Sequence, residues 1–303
     1  MKNLRDTLAL LKWRFWWNAA ATRGWLRQAQ PVRSPLEMRL LGDLERDGIA
    51  SCQLEELCGD PALFPAFEEE IRLLAAEQAP AIAEMRAKAG EKTARKSFIY
   101  QLLGDRPRLD PASTLGRICL AEPLLRLVGG YLGLFGELRY LNVWLNFKTS
   151  APAQRSQLWH RDRDDRRIVK GFLYLSEVGA GSGPLVYAPG THSRGAISAE
   201  PESFKEEGHG NRRSEDAQMA AVVPAERWIT CTGGKGKLVL VDTTGYHRGG
   251  LSRDADRLVL TFMFVSPAAE CPSLVERMPL GAEAAHPDFK TSPARAWALG
   301  LGS

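Results

Sequence analysis

His160 and Asp162 stand two residues apart in the run QLWHRDRDDRR. In extended backbone, side chains at i and i+2 point the same way, so this imidazole and carboxylate can reach one metal ion. Such a site needs a further donor, and the chain offers four other histidines: His192, His209, His247 and His286. His209 lies in a polar stretch, His286 in the tail and His192 in the turn PGTHSRG. His247 follows a strongly apolar run in LVLVDTTGYHRGG, where a rigid strand can hold a ligand in place. Two imidazoles and one carboxylate on one face leave coordination positions open, as in the facial triad of non-haem Fe(II) oxygenases. Beyond His247, Arg257 opens another apolar run. An arginine there could pair bidentately with a carboxylate bound beside the metal; a structural salt bridge is the alternative.

Other chemistries fit less well. A kinase catalytic loop would need Asn five residues after the Asp of HRD, and Arg167 stands there. GAGSG (179–183) has the wrong glycine spacing for a nucleotide loop, and GGKGK (233–237) lacks the hydroxyl residue a P-loop places after its lysine. The five cysteines are scattered, with no C-x-x-C pair, which argues against a disulfide framework or a thiolate zinc site and for a reducing cytoplasm. The net charge of +4 permits anionic partners without demanding nucleic acid. No apolar run is long enough for a spanning helix.

The elements that must position these residues fall in two zones. Residues 1–90 read as mostly helical, with a break at QPVRSP (30–35), a helix ending near Gly48 and a further helical stretch over 63–90. From 138 the period changes to two. LRYLNVWLNFK (138–148) reads as a strand with Asn142, Trp144, Asn146 and Lys148 on one face. GFLYLSEV, GPLVYAPG, KLVLVDTT and RLVLTFMFVSP read as further strands between Gly and Pro turns, which suggests a sandwich or barrel. Residues 196–216 read as a long polar loop, either a lid or a surface insertion.

The N-terminal residues 1–25 combine Leu4, Leu8, Leu11 and Phe15 at helical spacing with Trp13, Trp16, Trp17 and Trp25 and several basic residues. Their internal charges rule out a signal-peptide core. Such a helix either lies on a membrane surface or docks on the protein's own core or a second subunit.

Taken together, WHRD (159–162), KGFLYLSEVGAGSGPLVYAPGTHSRG (170–195) and GKGKLVLVDTTGYHRGGLSRDADR (234–257) resemble the phytanoyl-CoA dioxygenase family of Fe(II)/2-oxoglutarate oxygenases; RDGIASCQLEEL (46–57) resembles the family's opening segment. The resemblance implies a mainly β protein with α additions: a double-stranded β-helix (jelly-roll) core with helices packed on one sheet. It divides the chain into an N-terminal extension (1–35), an oxygenase domain (36–267) and a tail (268–303). It implies Fe(II) held by His160, Asp162 and His247, and 2-oxoglutarate on that metal with its far carboxylate on Arg257. Asn142, Asn146 and Lys148 are candidates for further cosubstrate contacts, and Arg253 stands second to Arg257. With O2, the expected reaction is hydroxylation of an unactivated C–H bond, with succinate and CO2 as coproducts. Related halogenases carry Gly or Ala at the Asp162 position, so a carboxylate here favours hydroxylation.

The expected substrate is a small, lipid-like or carrier-linked molecule. The cluster Arg161, Arg163, Arg166, Arg167 and Lys170 would suit an anionic one, or else forms a charged loop balanced by Asp164 and Asp165. Two other classes stay open: a jelly-roll binding module without turnover, and a zinc hydrolase, although H-E-x-x-H is absent.

Overall fold

The computed structural model describes residues 4–28, 34–91, 97–205, 212–271 and 292–302, with side chains from Thr7 onward. The N-terminal third is helical. α1 (Leu4–Lys12) runs into a π-helical turn (Trp13–Trp17) and then α2 (Ala19–Arg27). α3 (Pro35–Asp47) has both its start and its stop written locally. Ser34 and Glu37 form a reciprocal capping box, Pro35 occupies the first turn, and Gly48 closes the helix at φ 82°. A side chain at Gly48 would also strike Tyr187 and His192. β1 (Ile49–Gln53), α4 (Leu54–Cys58), α5 (Leu63–Glu77), α6 (Ala79–Ala87) and β2 (Ile99–Gln101) follow. α7 (Thr114–Cys119) and α8 (Glu122–Leu132) lead to the long β3 (Glu137–Asn146), then β4 (Val169–Tyr174) and β5 (Leu185–Tyr187). The remainder comprises α9 (Asp216–Ala220), β6 (Ile229–Thr230), β7 (Lys237–Val241), β8 (His247–Gly249), β9 (Arg257–Val265) and α10 (Pro293–Ala298).

The strands form two antiparallel sheets, ordered β1-β7-β4-β9-β3-β2 and β6-β5-β8. Period-two alternation sends Leu141, Val143, Val169, Leu173, Leu238 and Leu240 to the helix-covered face of the larger sheet. The other face carries Trp144, Phe172, Tyr174, Val239, Val241 and Val259, which pack with Leu185 and Tyr187 of the smaller sheet. The two sheets therefore share an apolar inner layer, and helices cover the outer face of the large one. Among the described residues, no hydrogen-bonded closure joins the sheets into a barrel.

The expectation of a mainly β protein is corrected. Helical residues outnumber strand residues, because α7 and α8 fill a stretch where no periodic element was expected and the helices continue through the N-terminal third. The architecture is a mixed α/β one with antiparallel sheets. α10 packs on α8 and β3, so part of the tail belongs to the same core.

The N-terminal segment docks on the protein itself. Trp13 is fully buried and donates its indole N–H to Asp165 at 2.7 Å. Asn18 donates to Ser266 and accepts from the amide of Ala268, while Trp25 packs edge-on against Phe135 over Gly129, where any side chain would collide with the indole. The docked face is therefore not the Leu8, Leu11, Phe15 stripe. Those three side chains are exposed.

Candidate metal centre

The residues around His160 are extended and pair antiparallel with the segment that ends at His247. The amides of His160 and His247 each donate to the other's carbonyl, at 2.9 and 3.0 Å, and the amide of Asp162 donates to Thr243. The turn that delivers His247 is held by Asp242, whose Oδ1 accepts from both the amide and the hydroxyl of Thr244. His247 also pairs with Tyr187 across β5 and β8, so its ring shares the inner face with Tyr187.

This ladder brings three donors together. One ligand atom from each of His160, Asp162 and His247 lies within 4.8 Å of the others, and no other such cluster of metal-binding donors occurs among the described residues. His160 Nε2 is 4.0 Å from Asp162 Oδ1, and His247 Nε2 is 3.9 Å from Oδ2. Both Nδ1 atoms face backbone carbonyls, of Leu158 at 2.9 Å and Gly245 at 3.0 Å. A carbonyl only accepts, so each Nδ1 carries the proton and each Nε2 keeps its lone pair toward the shared space. Burial holds both imidazoles below their ordinary basicity, His160 the more strongly because His247 adds to the effect. The rings are thus neutral and aimed, as metal ligands must be.

Asp162 is kept ionised against its surroundings. Burial opposes the charge, but the ammonium of Lys170 outweighs it and holds the carboxyl well below its ordinary range. Lys170 Nζ reaches Asp162 Oδ2 at 2.6 Å. This corrects the grouping of Lys170 with an anion-binding cluster: it lies on the inner face of β4 with Phe172 and Tyr174, and its partner is the carboxylate of Asp162. The rest of the cluster disperses too. Arg166 pairs with Glu270, and Arg167 is buried, bonded to the carbonyls of Tyr131 and Leu132. Arg161 and Arg163 remain at the mouth of the site.

Arg257 opens β9 on the inner face, in register with Asn146. It is buried, one N–H bonds to the carbonyl of Gly183, and its Nε has no partner among the described residues. No carboxylate pairs with it there, and burial lowers its affinity for its proton. Asn146 is buried beside it and reaches its carbonyl at 3.4 Å. Asn142 is buried but engaged, bonding Gln101, Gly104 and the amide of Leu103. Lys148 lies past the end of β3, exposed, with its amide on Asp256. Arg253 is tied to the carbonyl of Thr149. Trp159 is buried beside the site, packed on Trp228, with its indole N–H on Asp216. His192 is buried outside the cluster, and His209 and His286 lie outside the described residues.

A cleft of about 250 Å3 opens at Asp162, lined by Arg161, Arg163, Glu200, Phe204, Arg212 and Arg213. The polar loop supplies the last four of these; its residues 206–211 lie outside the described residues. Arg161 stacks over the ring of Tyr246 at 3.9 Å and reaches Glu200 at 3.5 Å. Arg163, Arg212 and Arg213 have no acidic partner within salt-bridge distance among the described residues.

No family model matches the chain, and no curated protein does. Solved structures do. EctD from S. alaskensis, solved with 2-oxoglutarate and 5-hydroxyectoine, superposes with a TM-score of 0.50 at 18% identity, over 90% of this chain and 84% of that one. The epimerase SnoN, in complex with Fe3+, alpha ketoglutarate and nogalamycin RO, gives 0.49 at 16% identity, over 76% and 84%. The carbocyclase SnoK from nogalamycin biosynthesis gives 0.46 at 14% identity, over 84% and 90%. The likeness to EctD shows a shared fold.

Proposed function

We propose that this chain is an Fe(II)- and 2-oxoglutarate-dependent oxygenase that hydroxylates an unactivated C–H bond of a small anionic or carrier-linked substrate. One observation carries the reading: two neutral imidazoles and one ionised carboxylate converge with their free donor atoms together, while a buried arginine on the same inner layer has no anion. The donor set suits iron with open coordination positions. The unpartnered guanidinium suits the far carboxylate of 2-oxoglutarate, since a buried cation left unpaired is costly. The fold shared with EctD, whose structure holds 2-oxoglutarate, supports the same assignment.

When bound, iron and 2-oxoglutarate supply the oxidative chemistry: 2-oxoglutarate, O2 and a substrate C–H yield succinate, CO2 and the alcohol. The chain's own residues do the rest. His160, Asp162 and His247 would hold the metal. The two Nδ1 hydrogen bonds fix the ring tautomers, and Lys170 keeps Asp162 charged and oriented. Arg257 would receive the cosubstrate's distal carboxylate. Arg163, Arg212 and Arg213 would gather a phosphate, sulfate or carboxylate on the substrate, and Phe204 and Trp159 help keep water from the centre.

The test is anaerobic reconstitution with Fe(II), followed by O2 and 2-oxoglutarate, with succinate measured. Succinate formation that disappears in His247→Ala supports the reading. Firm binding of zinc with no 2-oxoglutarate affinity would overturn it.

A further inference from the structure

The N-terminal segment has two faces, and only one is occupied by the protein. Trp13 (0% exposed), Asn18, Ala21, Thr22 and Trp25 are buried against the body. Trp13 is tethered through Asp165, whose carboxylate also accepts from the amides of Arg166 and Ser266. The segment is thus clamped to the loop that carries Asp162. Its other face is bare: Leu8, Leu11, Phe15, Trp16 (77% exposed), Trp17 and Leu26 all project outward. Three of these, Phe15, Trp16 and Trp17, are consecutive aromatics in the π-helical turn. Lys12, Arg23 and Arg27 stand exposed among them, and no acidic residue occurs between Thr7 and Gln28.

So many exposed large apolar side chains on one short segment mark a contact surface. We infer that this face seats the protein on an anionic lipid surface, with the aromatics entering the headgroup layer and the basic residues meeting lipid phosphates. Tryptophan suits that layer because its ring is apolar while its N–H stays polar. Charge decides against a second copy. A two-fold contact through residues 7–28 would bring Lys12, Arg23 and Arg27 of the two copies together, and that stretch holds no acidic residue to neutralise them. A lipid surface of negative charge complements the exposed Lys12, Arg23 and Arg27 and takes up the apolar side chains beside them. The inference does not rest on the iron reading, and none of its residues touches the metal centre.

The experiment is cosedimentation of the full chain with vesicles of equimolar phosphatidylcholine and phosphatidylglycerol, and with phosphatidylcholine alone. Wild type is expected to pellet with the anionic vesicles and to stay largely in solution with the neutral ones. Trp16→Ala/Trp17→Ala removes exposed side chains only, so it should melt as wild type does and lose vesicle affinity by about tenfold or more. Arg23→Glu/Arg27→Glu should lose the preference for anionic vesicles. Wild type remaining in solution with anionic vesicles would overturn the inference, as would double variants that pellet unchanged. A concentration-dependent dimer that the Trp16/Trp17 variant abolishes, without vesicle binding, would also overturn it and give the face to a second copy.

Discussion

Lys170 and Arg257 both point a positive charge into the inner layer of the same sheet, and the fold treats them differently. Lys170 ends on Asp162 at 2.6 Å, and that carboxylate raises its affinity for its proton in spite of burial. Arg257 has a carbonyl and no carboxylate, and burial lowers its affinity for its proton. One cation is neutralised from within, by Asp162. The other has no carboxylate among the described residues, and in the proposed reading it is left for the far carboxylate of 2-oxoglutarate. A buried charge is costly when alone, so the uncompensated one points to a ligand.

That contrast can be broken by substitution. Lys170→Met leaves the Asp162 carboxylate without its cation, so metal-free protein should lose about 2–4 kcal/mol of stability. Added divalent metal should restore much of the loss in thermal melts; no destabilisation would mean the pair is idle. Arg257→Leu should do the opposite. It removes a cation with no anionic partner, so metal-free stability should hold or rise, while affinity for 2-oxoglutarate in calorimetry should fall about 100-fold or more. Equal destabilisation by both variants would erase the difference.

Acid sharpens the contrast, because neither cation titrates at mildly acid pH, whereas the two imidazoles of the centre contribute a slope of their own, partly offset by the buried carboxyls of Asp165 and Asp242, which hold their protons more tightly than free ones. His160 and His247 bind protons less readily in the fold than their ordinary value of 6.5. Above that value both folded and unfolded forms are neutral. As pH falls below it the unfolded chain gains protons first, so metal-free stability should drop by up to about 1.4 kcal/mol per pH unit for each ring. Asp162, also held low, adds its loss only at more acid pH. Melts of the metal-free protein from roughly pH 7 to pH 5, compared between wild type and His160→Ala/His247→Ala, check the sign: the loss on acidification should be smaller in the variant. The smallest effect belongs to Asn142→Ala. Its side chain holds the turn at Leu103 and Gly104, so stability should fall by about 1–2 kcal/mol with 2-oxoglutarate affinity little changed.

Much of this centre was readable from spacing. His-x-Asp in extended chain, a histidine after an apolar strand and an arginine opening the next strand are short-range patterns, and a strand preserves them in space. Lys170 was not read correctly because the charge run before it hides the alternation Lys170, Phe172, Tyr174 that places it on the inner face. At the N-terminus the stripe Leu8, Leu11, Phe15 left a membrane surface and the protein's own core both open; the segment docks through Trp13 and Trp25, and the stripe is exposed. Period alone does not say which apolar face finds a partner when a helix has two. Asp165 read as one charge in a balanced run. Its role as the anchor for Trp13 depends on a contact across 152 positions, which no local pattern encodes.

The most direct test of the central claim is an anaerobic titration of Fe(II) into protein with 2-oxoglutarate, following the visible charge-transfer absorption in wild type, His160→Ala and Arg257→Leu. The account expects the absorption in wild type, none in His160→Ala, and in Arg257→Leu only at far higher 2-oxoglutarate. Equal absorption in all three, or none in wild type with 2-oxoglutarate left unbound, would contradict it.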